Sequence, residues 1–225
     1  MDLNFLLDDI IKNRRALHQI PETALEEFKT KEYLKNYLIS IGLEPQEIVE
    51  TGLFVYIEGK DKENCIAFRS DIDALNIKEE TGAEFESKHV GKMHACGHDG
   101  HMTTLLGFAK YLTTIQPLEK SVLLIFQPAE ESPGRAKDIV ETGLLKKYNV
   151  KAIYGMHLFP ELPEGTVARL TPSTKSRTYY VTDFVCENPK GDWYLQIENL
   201  GKTYDPNKLY PASTVTATIT VTYSY

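Results

Sequence analysis

The stretch that decides the fold is SVLLIFQPAEE, residues 121–131. Residues 121–126 are almost wholly apolar, the composition of a strand covered on both faces. Pro128 has no amide hydrogen to offer a sheet and stops the strand, and Glu130 and Glu131 follow at once. Two adjacent glutamates are ordinarily a solvated surface pair. At the C-terminal end of a buried strand, however, they stand where open α/β sheets hold their ligands.

Two further segments end in the same way. AIYGMH (152–157) is an apolar run closing on His157, and CIAFRSDID (65–73) closes on Asp71 and Asp73, spaced two apart and so able to face the same way. Around these runs, residues 3–17 and 24–41 carry apolar side chains at helical spacing, with Pro21-Glu22-Thr23 between them and Gly42 where a helix C-cap is expected. Strands are predicted over 47–58 and 64–69. Helices over 100–115 and 133–148 then alternate with strands over 122–126 and 152–156. Such alternation predicts an α/β fold, a mainly parallel sheet flanked by helices.

Between the Asp71 and Glu130 segments lies MHACGHDGH (93–101), which holds His94, Cys96, His98, His101 and the carboxylate of Asp99. A buried thiol beside satisfied histidines at a helix start is the bland reading of any one of these residues. Their density favours a metal site instead, and Cys with His selects zinc or a neighbouring transition metal over calcium or magnesium, which prefer oxygen. In extended backbone the side chains of His94, Cys96 and His98 would share one side. Gly97 would let the chain approach a bound ion.

Residues 171–225 have another character. They are rich in threonine, tyrosine and asparagine, and residues 213–223 alternate polar with apolar almost perfectly, the pattern of a half-buried strand. Residues 193–198 and 177–185 read as further strands, with 161–165 as the linker. The expected organisation is an α/β domain over 1–170 and a β-rich C-terminal tail over 171–225. That tail could complete the sheet, form a small antiparallel module or be a fused piece.

A chain of 225 residues with 42% hydrophobic content can bury a sizeable core, and its net charge of -7 gives no reason to expect nucleic acid or an anionic membrane as partner. The N-terminal MDLNFLLDDIIKNRR has no long apolar core, so neither a signal peptide nor a membrane span is expected there. Three cysteines at no framework spacing point to a reducing compartment, with the cytoplasm as the expected location.

RRALHQIPE (14–22), FRSDIDAL (68–75), MHACGHDGHM (93–102), FQPAEE (126–131) and GMHLFP (155–160) occur in the order and approximate spacing of the zinc-peptidase-like amidohydrolases, which the chain resembles up to about Leu170. Within that family, TGLFVYIEG (51–59) and residues 79–103 are most similar to N-acetyldiaminopimelate deacetylases. The resemblance implies that residues 1–170 form part of a zinc-exopeptidase-like catalytic domain, that of a metal-dependent amidohydrolase, with two divalent transition-metal ions (zinc, manganese, cobalt or nickel). It makes Cys96 the ligand shared by both ions, His98 and His157 ligands of one, and Glu131 a ligand of the other. Glu130 takes the place of the general base, Asp71 a position treated as catalytic, and Asp73 a carboxylate behind the ligands. The implied reaction is hydrolysis of a small N-acyl amino acid by metal-activated water, Glu130 passing the water proton to the leaving amine. His18 and His89 are read as non-ligands, His101 as helix-start packing or a supporting contact, and His94 as a hydrogen-bonding neighbour.

Measured against the family, a lid or dimerisation domain after about Leu170 and a returning segment with one more histidine ligand are missing, and no histidine follows His157. One ion would keep Cys96, His98 and His157, the other only Cys96 and Glu131. Asn76 stands where the family commonly has proline, and Ser132 and Arg135 replace glycines. A relative that binds metal with little or no turnover is therefore the alternative reading, and the oligomeric state is open.

Overall fold

The computed structural model describes residues 4–158, 166–169, 177–180 and 195–196. Its elements run α1 (Asn4–His18), α2 (Phe28–Ser40), β1 (Gln46–Ile48), β2 (Gly52–Ile57), β3 (Asp61–Asp71), α3 (His98–Thr114), β4 (Lys120–Gln127), α4 (Ala136–Glu141), α5 (Leu144–Lys147) and β5 (Val150–Gly155). The five strands form one sheet in the order β1-β2-β4-β3-β5. This is the α/β class expected from the alternation, with the sheet mixed. β3 pairs in parallel with β4 and β5, whereas β2 runs antiparallel to β1 and β4.

The antiparallel half comes from a turn that the sequence conceals. The strand expected over 47–58 divides at residues 49–51, where Val49 and Glu50 take φ 42° and 62° and the Thr51 amide closes on the Val49 carbonyl at 2.8 Å. Neither residue carries a turn signature, and a β-branched residue at positive φ is uncommon. The helix expected over 133–148 likewise breaks, at Gly143 (φ 77°), into α4 and α5. α2 begins at Phe28 rather than residue 24, because residues 23–26 form a turn closed by the Glu26 amide on the Thr23 carbonyl.

Alternating side chains on β2 and β4 feed two cores. Leu53, Val55, Val122, Leu124 and Phe126 pack with Leu34 and Leu38 of α2 and Met102 and Leu106 of α3. On the opposite face, Phe54, Leu123 and Ile125 pack with Ile139 of α4 and Leu144 of α5. β4 is thus buried from both sides, which its unbroken apolar run requires.

Three short strands lie beyond Leu158: β6 (Thr166–Arg169), β7 (Arg177–Tyr180) and β8 (Leu195–Gln196), in the order β7-β6-β8. β7 and β8 fall within the strands predicted over 177–185 and 193–198. The alternating run 213–223 and the linker 161–165 lie outside the described residues. Among the described residues no helix is long and apolar enough to cross a membrane.

Candidate metal centre

The parallel strands end nearly level, with Asp71 of β3 opposite Gln127 of β4 and Arg69 opposite Gly155 of β5. Asp73, Glu130, Glu131 and His157 therefore leave three neighbouring strand ends, and the start of α3 adds Cys96, His98 and His101 to the same rim.

MHACGHDGH is not extended. Cys96 lies in a turn and His98 is the first residue of α3, joined through Gly97 at φ 80° and ψ 14°. A glycine is needed there for two reasons: the left-handed backbone, and the Leu158 side chain, whose Cδ1 would sit 2.7 Å from an added Cβ. The turn removes His94 from the cluster. Both of its ring nitrogens are buried without a hydrogen bond among the described residues, and burial lowers the imidazole to about 4.

Each central histidine has one nitrogen committed. The Nδ1–H of His98 donates to the Asp73 carbonyl at 2.8 Å, with the Asp73 carboxylate 3.3 Å from the same nitrogen. Its Nε2 is buried, has no hydrogen-bond partner among the described residues, and lies 3.7 Å from Glu131 Oε1. The Nδ1–H of His157 donates to the Leu158 carbonyl at 2.7 Å, which turns Nε2 to within 3.4 Å of Cys96 Sγ. Cys96, His98 and His157 can hold a metal ion, offering one ligand atom each within 4.8 Å of one another, and His98, Glu130 and Glu131 form a second such group.

Asp71, His98 and His101 also lie close enough to be a ligand group, but their hydrogen bonds give them another part. The Leu158 amide donates to Nε2 of His101 at 2.9 Å, so that Nδ1 carries the proton and donates to Asp71 Oδ1 at 2.6 Å. Arg69 donates to Asp71 Oδ2 and to the Gln127 side chain, each at 2.8 Å. Asp71 is fully buried and acts on its surroundings through these partners. The part of Arg69 was missed in the sequence, although its place in FRSDID was a signal. His101 was expected only to pack or support at the helix start, and its geometry makes it the link between Asp71 and the His157 segment.

The local field favours a cation. Burial opposes charge on His98, yet the Asp73 and Cys96 contacts and the Asp71 charge outweigh it and push the imidazole up to about 11. A proton on this imidazole stands in for the charge an ion would bring. Contacts with His157 and His98 hold the Cys96 thiol below its ordinary value despite burial. Burial would raise Asp71, but His101, His98 and Arg69 keep its carboxyl well below the usual range. Glu130 moves the other way, raised chiefly by burial.

Glu130 and Glu131 leave β4 through a sharp elbow. Ala129 has φ 49°, and its carbonyl accepts the amides of Gly134 and Arg135 at 3.1 and 3.0 Å. An L residue in that region costs roughly 1–3 kcal/mol and persists only where its surroundings hold it. The Glu131 amide is fixed on Asp73 Oδ2 at 3.0 Å. His18 and His89 lie outside all three ligand groups: His18 bonds Asp99 and Glu79 at 2.8 and 3.0 Å, and His89 bonds the Pro21 carbonyl at 2.7 Å.

Residues 67–223 match the profile of Peptidase family M20/M25/M40. The N-acetyldiaminopimelate deacetylase of Bacillus subtilis (strain 168) is 46% identical over 167 residues, 72% of this chain and 44% of the relative. The enzyme of that name from Listeria innocua is 46% identical over 165 residues, again 72% of this chain and 44% of the relative. Among solved structures, the YXEP protein of Bacillus subtilis, described as a dinuclear metal binding peptidase from the M20 family, shares 38% identity with a TM-score of 0.68, covering 74% of this chain and 46% of that one. The chain thus spans less than half the length of the curated relatives it matches. With most of its length inside the family profile and the motif residues gathered on one rim, the chain belongs to Peptidase family M20/M25/M40.

Proposed function

We propose that this site is that of a metal-dependent amidohydrolase which removes the acyl group from a small N-acyl amino acid, N-acetyldiaminopimelate being the substrate suggested by the relatives' name. The observation that carries the reading is His98 Nε2, a buried nitrogen without a hydrogen-bond partner among the described residues, turned toward Glu131 while Nδ1 is committed to a carbonyl. A structural histidine buried this deeply would ordinarily have both nitrogens satisfied. Soft thiolate and imidazole donors fit zinc, cobalt or nickel, and the carboxylates of Glu130 and Glu131 beside them also admit manganese.

Cys96, His98 and His157 would hold one ion, and Cys96 with Glu131 would hold part of a second. When bound, such an ion supplies Lewis acidity, which lowers the pKa of water and polarises an amide carbonyl. The chain's own residues supply the rest. Glu130, lifted by burial toward the range in which a carboxylate both takes and returns a proton, accepts the proton of the attacking water and delivers it to the leaving nitrogen. Asp73 and Asp71 keep His98 oriented and basic, as carboxylates behind ligand histidines do. The Asp71–His101–Leu158 connection holds the His157 segment against α3.

Ion binding is the first test, because the chain spans less than half of its curated relatives. The purified chain, dialysed against trace zinc or manganese, should retain metal on elemental analysis, and N-acetyldiaminopimelate or a simpler N-acetyl amino acid should release a free amine. Absence of metal from both the zinc and the manganese samples would sink the ligand set. Retained metal with no amine release would leave the binding and remove the hydrolysis.

A further inference from the structure

Glu27 occupies the N-cap position of α2, yet its side chain makes no capping bond to that helix. Glu22 caps instead, its Oε2 accepting the amide and hydroxyl of Thr30 at 2.8 and 3.0 Å. The Glu27 carboxylate is thereby released to reach the end of β4. Its Oε1 accepts the Ala129 amide at 2.8 Å, and its Oε2 accepts the Thr51 hydroxyl at 2.7 Å. Glu27, Thr51 and Ala129 are all fully buried.

Burying a carboxylate is costly unless cations or several donors compensate it. Among the described residues Glu27 forms no salt bridge, and its compensation comes from donors at the turn before β2 and at the elbow after β4. The Ala129 carbonyl is held from downstream by Gly134 and Arg135. From the upstream side its amide is held by Glu27, in a conformation that an alanine leaves when released.

We propose that Glu27 is a positioning residue for the two glutamates after β4: its carboxylate fixes Ala129 in the left-handed conformation that turns Glu130 and Glu131 into the metal centre. This rests on the reading of Glu131 as a ligand. Glu27 touches neither ion nor substrate and acts wholly through the Ala129 backbone. Gln at position 27 can reproduce both bonds, its oxygen accepting the Ala129 amide and its nitrogen donating to the Thr51 hydroxyl. Ala reproduces neither.

The test is the affinity of the full chain for its second equivalent of cobalt(II), the one Glu131 would hold, measured by competition with a chelator; all variants are compared at this second equivalent. Glu27→Ala should weaken cobalt by roughly 10- to 100-fold, the cost of losing a group that supports a ligand, while Glu27→Gln should stay within about threefold of wild type. Glu131→Gln should weaken cobalt comparably, and Glu27→Ala should add little in that background, because both changes remove the same carboxylate from the ion. Ala129→Gly should recover part of the loss in Glu27→Ala, since glycine takes positive φ without steric cost. Should Glu27→Ala not yield folded protein, Thr51→Val carries the same expectation at about tenfold, as it removes a hydrogen bond to a charged carboxylate, and a value within about threefold of wild type overturns the proposal.

The proposal is overturned by unchanged cobalt affinity in Glu27→Ala, by failure of Gln to restore it, by additive losses in the double variant, or by a Glu131→Gln protein that binds as wild type. Hydrolysis enters none of these arms. An intact cobalt series without turnover refutes the amidohydrolase reading alone, and turnover with a flat cobalt series refutes placement by Glu27 alone.

Discussion

Gly97→Ala is the substitution whose effect is most directly set by the geometry. Alanine at φ 80° puts Cβ too near the following carbonyl, at about 1–2 kcal/mol. The same Cβ would lie 2.7 Å from Leu158 Cδ1 and 3.5 Å from Leu158 Cβ. Overpacking of that kind costs about 1–3 kcal/mol, toward the low end here because the nearer atom terminates a flexible side chain. The expected loss is about 2–4 kcal/mol in urea unfolding with a chelator present, or a melting temperature lower by roughly 5–15 °C for a domain of this size. The displacement should also reach the metal. Leu158 gives its amide to His101 and takes the Nδ1–H of His157, so moving it misplaces a ligand, and metal affinity should fall by roughly 10- to 100-fold. In Gly97→Ala with Leu158→Ala, the steric part should be recovered and the backbone part should persist. A Gly97→Ala protein as stable as wild type, with unaltered affinity, would refute both the left-handed requirement and the close contact.

Glu130→Gln should leave metal content nearly unchanged and lower any deacylation by a factor on the order of 10² to 10⁴, whereas Glu131→Gln should lower occupancy; interchanged effects would reverse their roles. Metal affinity should rise from about pH 6 to about pH 9, with protons released on binding, because His98 is held up to about 11 by its carboxylate and thiol neighbours and must lose that proton to an ion; calorimetry in buffers of different ionisation enthalpy counts the protons. At His18, burial lowers the pKa, but Asp99 and Glu79 outweigh it and raise the group. Its stabilisation is therefore full below the ordinary value of 6.5 and is lost as pH rises through the folded value. His18→Gln should cost roughly 3 kcal/mol near pH 6, where it breaks a buried pair, and less on the alkaline side; a constant difference across pH would exclude the charged pair. Gly52→Ala should destabilise β2, since its Cβ would meet the Ile48 carbonyl oxygen at 2.8 Å and Pro128 Cδ at 2.9 Å, and backbone yields less than a side-chain tip.

What could be read in advance divides along physical lines. A segment buried on both faces announces itself through composition, so β4 and the glutamates after it were legible. β5, half-buried at the sheet border, was legible from its apolar run closing on His157, and with it the parallel half of the sheet. The histidine and cysteine cluster was legible because each side chain has a narrow chemistry. The Gly97 turn was not, since alternating ligands fit an extended strand equally well until Leu158 is known to press against that glycine. Residues 49–51 hid a chain reversal because Val49 and Glu50 adopt positive φ under tertiary contacts rather than local preference. Glu27 was the least visible. A glutamate near a predicted helix start reads as solvated, and its burial depends on Thr51 and Ala129, which are 24 and 102 residues away in sequence.

β5 pairs with β3, and among the described residues its other side has no strand partner. Its far end runs into His157 and Leu158, which reach back to Cys96 and His101 across 61 and 57 residues of chain. An ion shared by Cys96 and His157 would therefore be a rivet on the border strand, closing a long loop that otherwise relies on edge pairing. Chelation should let this border peel before the rest of the sheet melts, so amide exchange in β5 should follow free metal concentration while β4 keeps the rate of global opening. Metal supply would then set more than reactivity. It would fix how long the border stays closed to proteases and to the exposed strands of other chains.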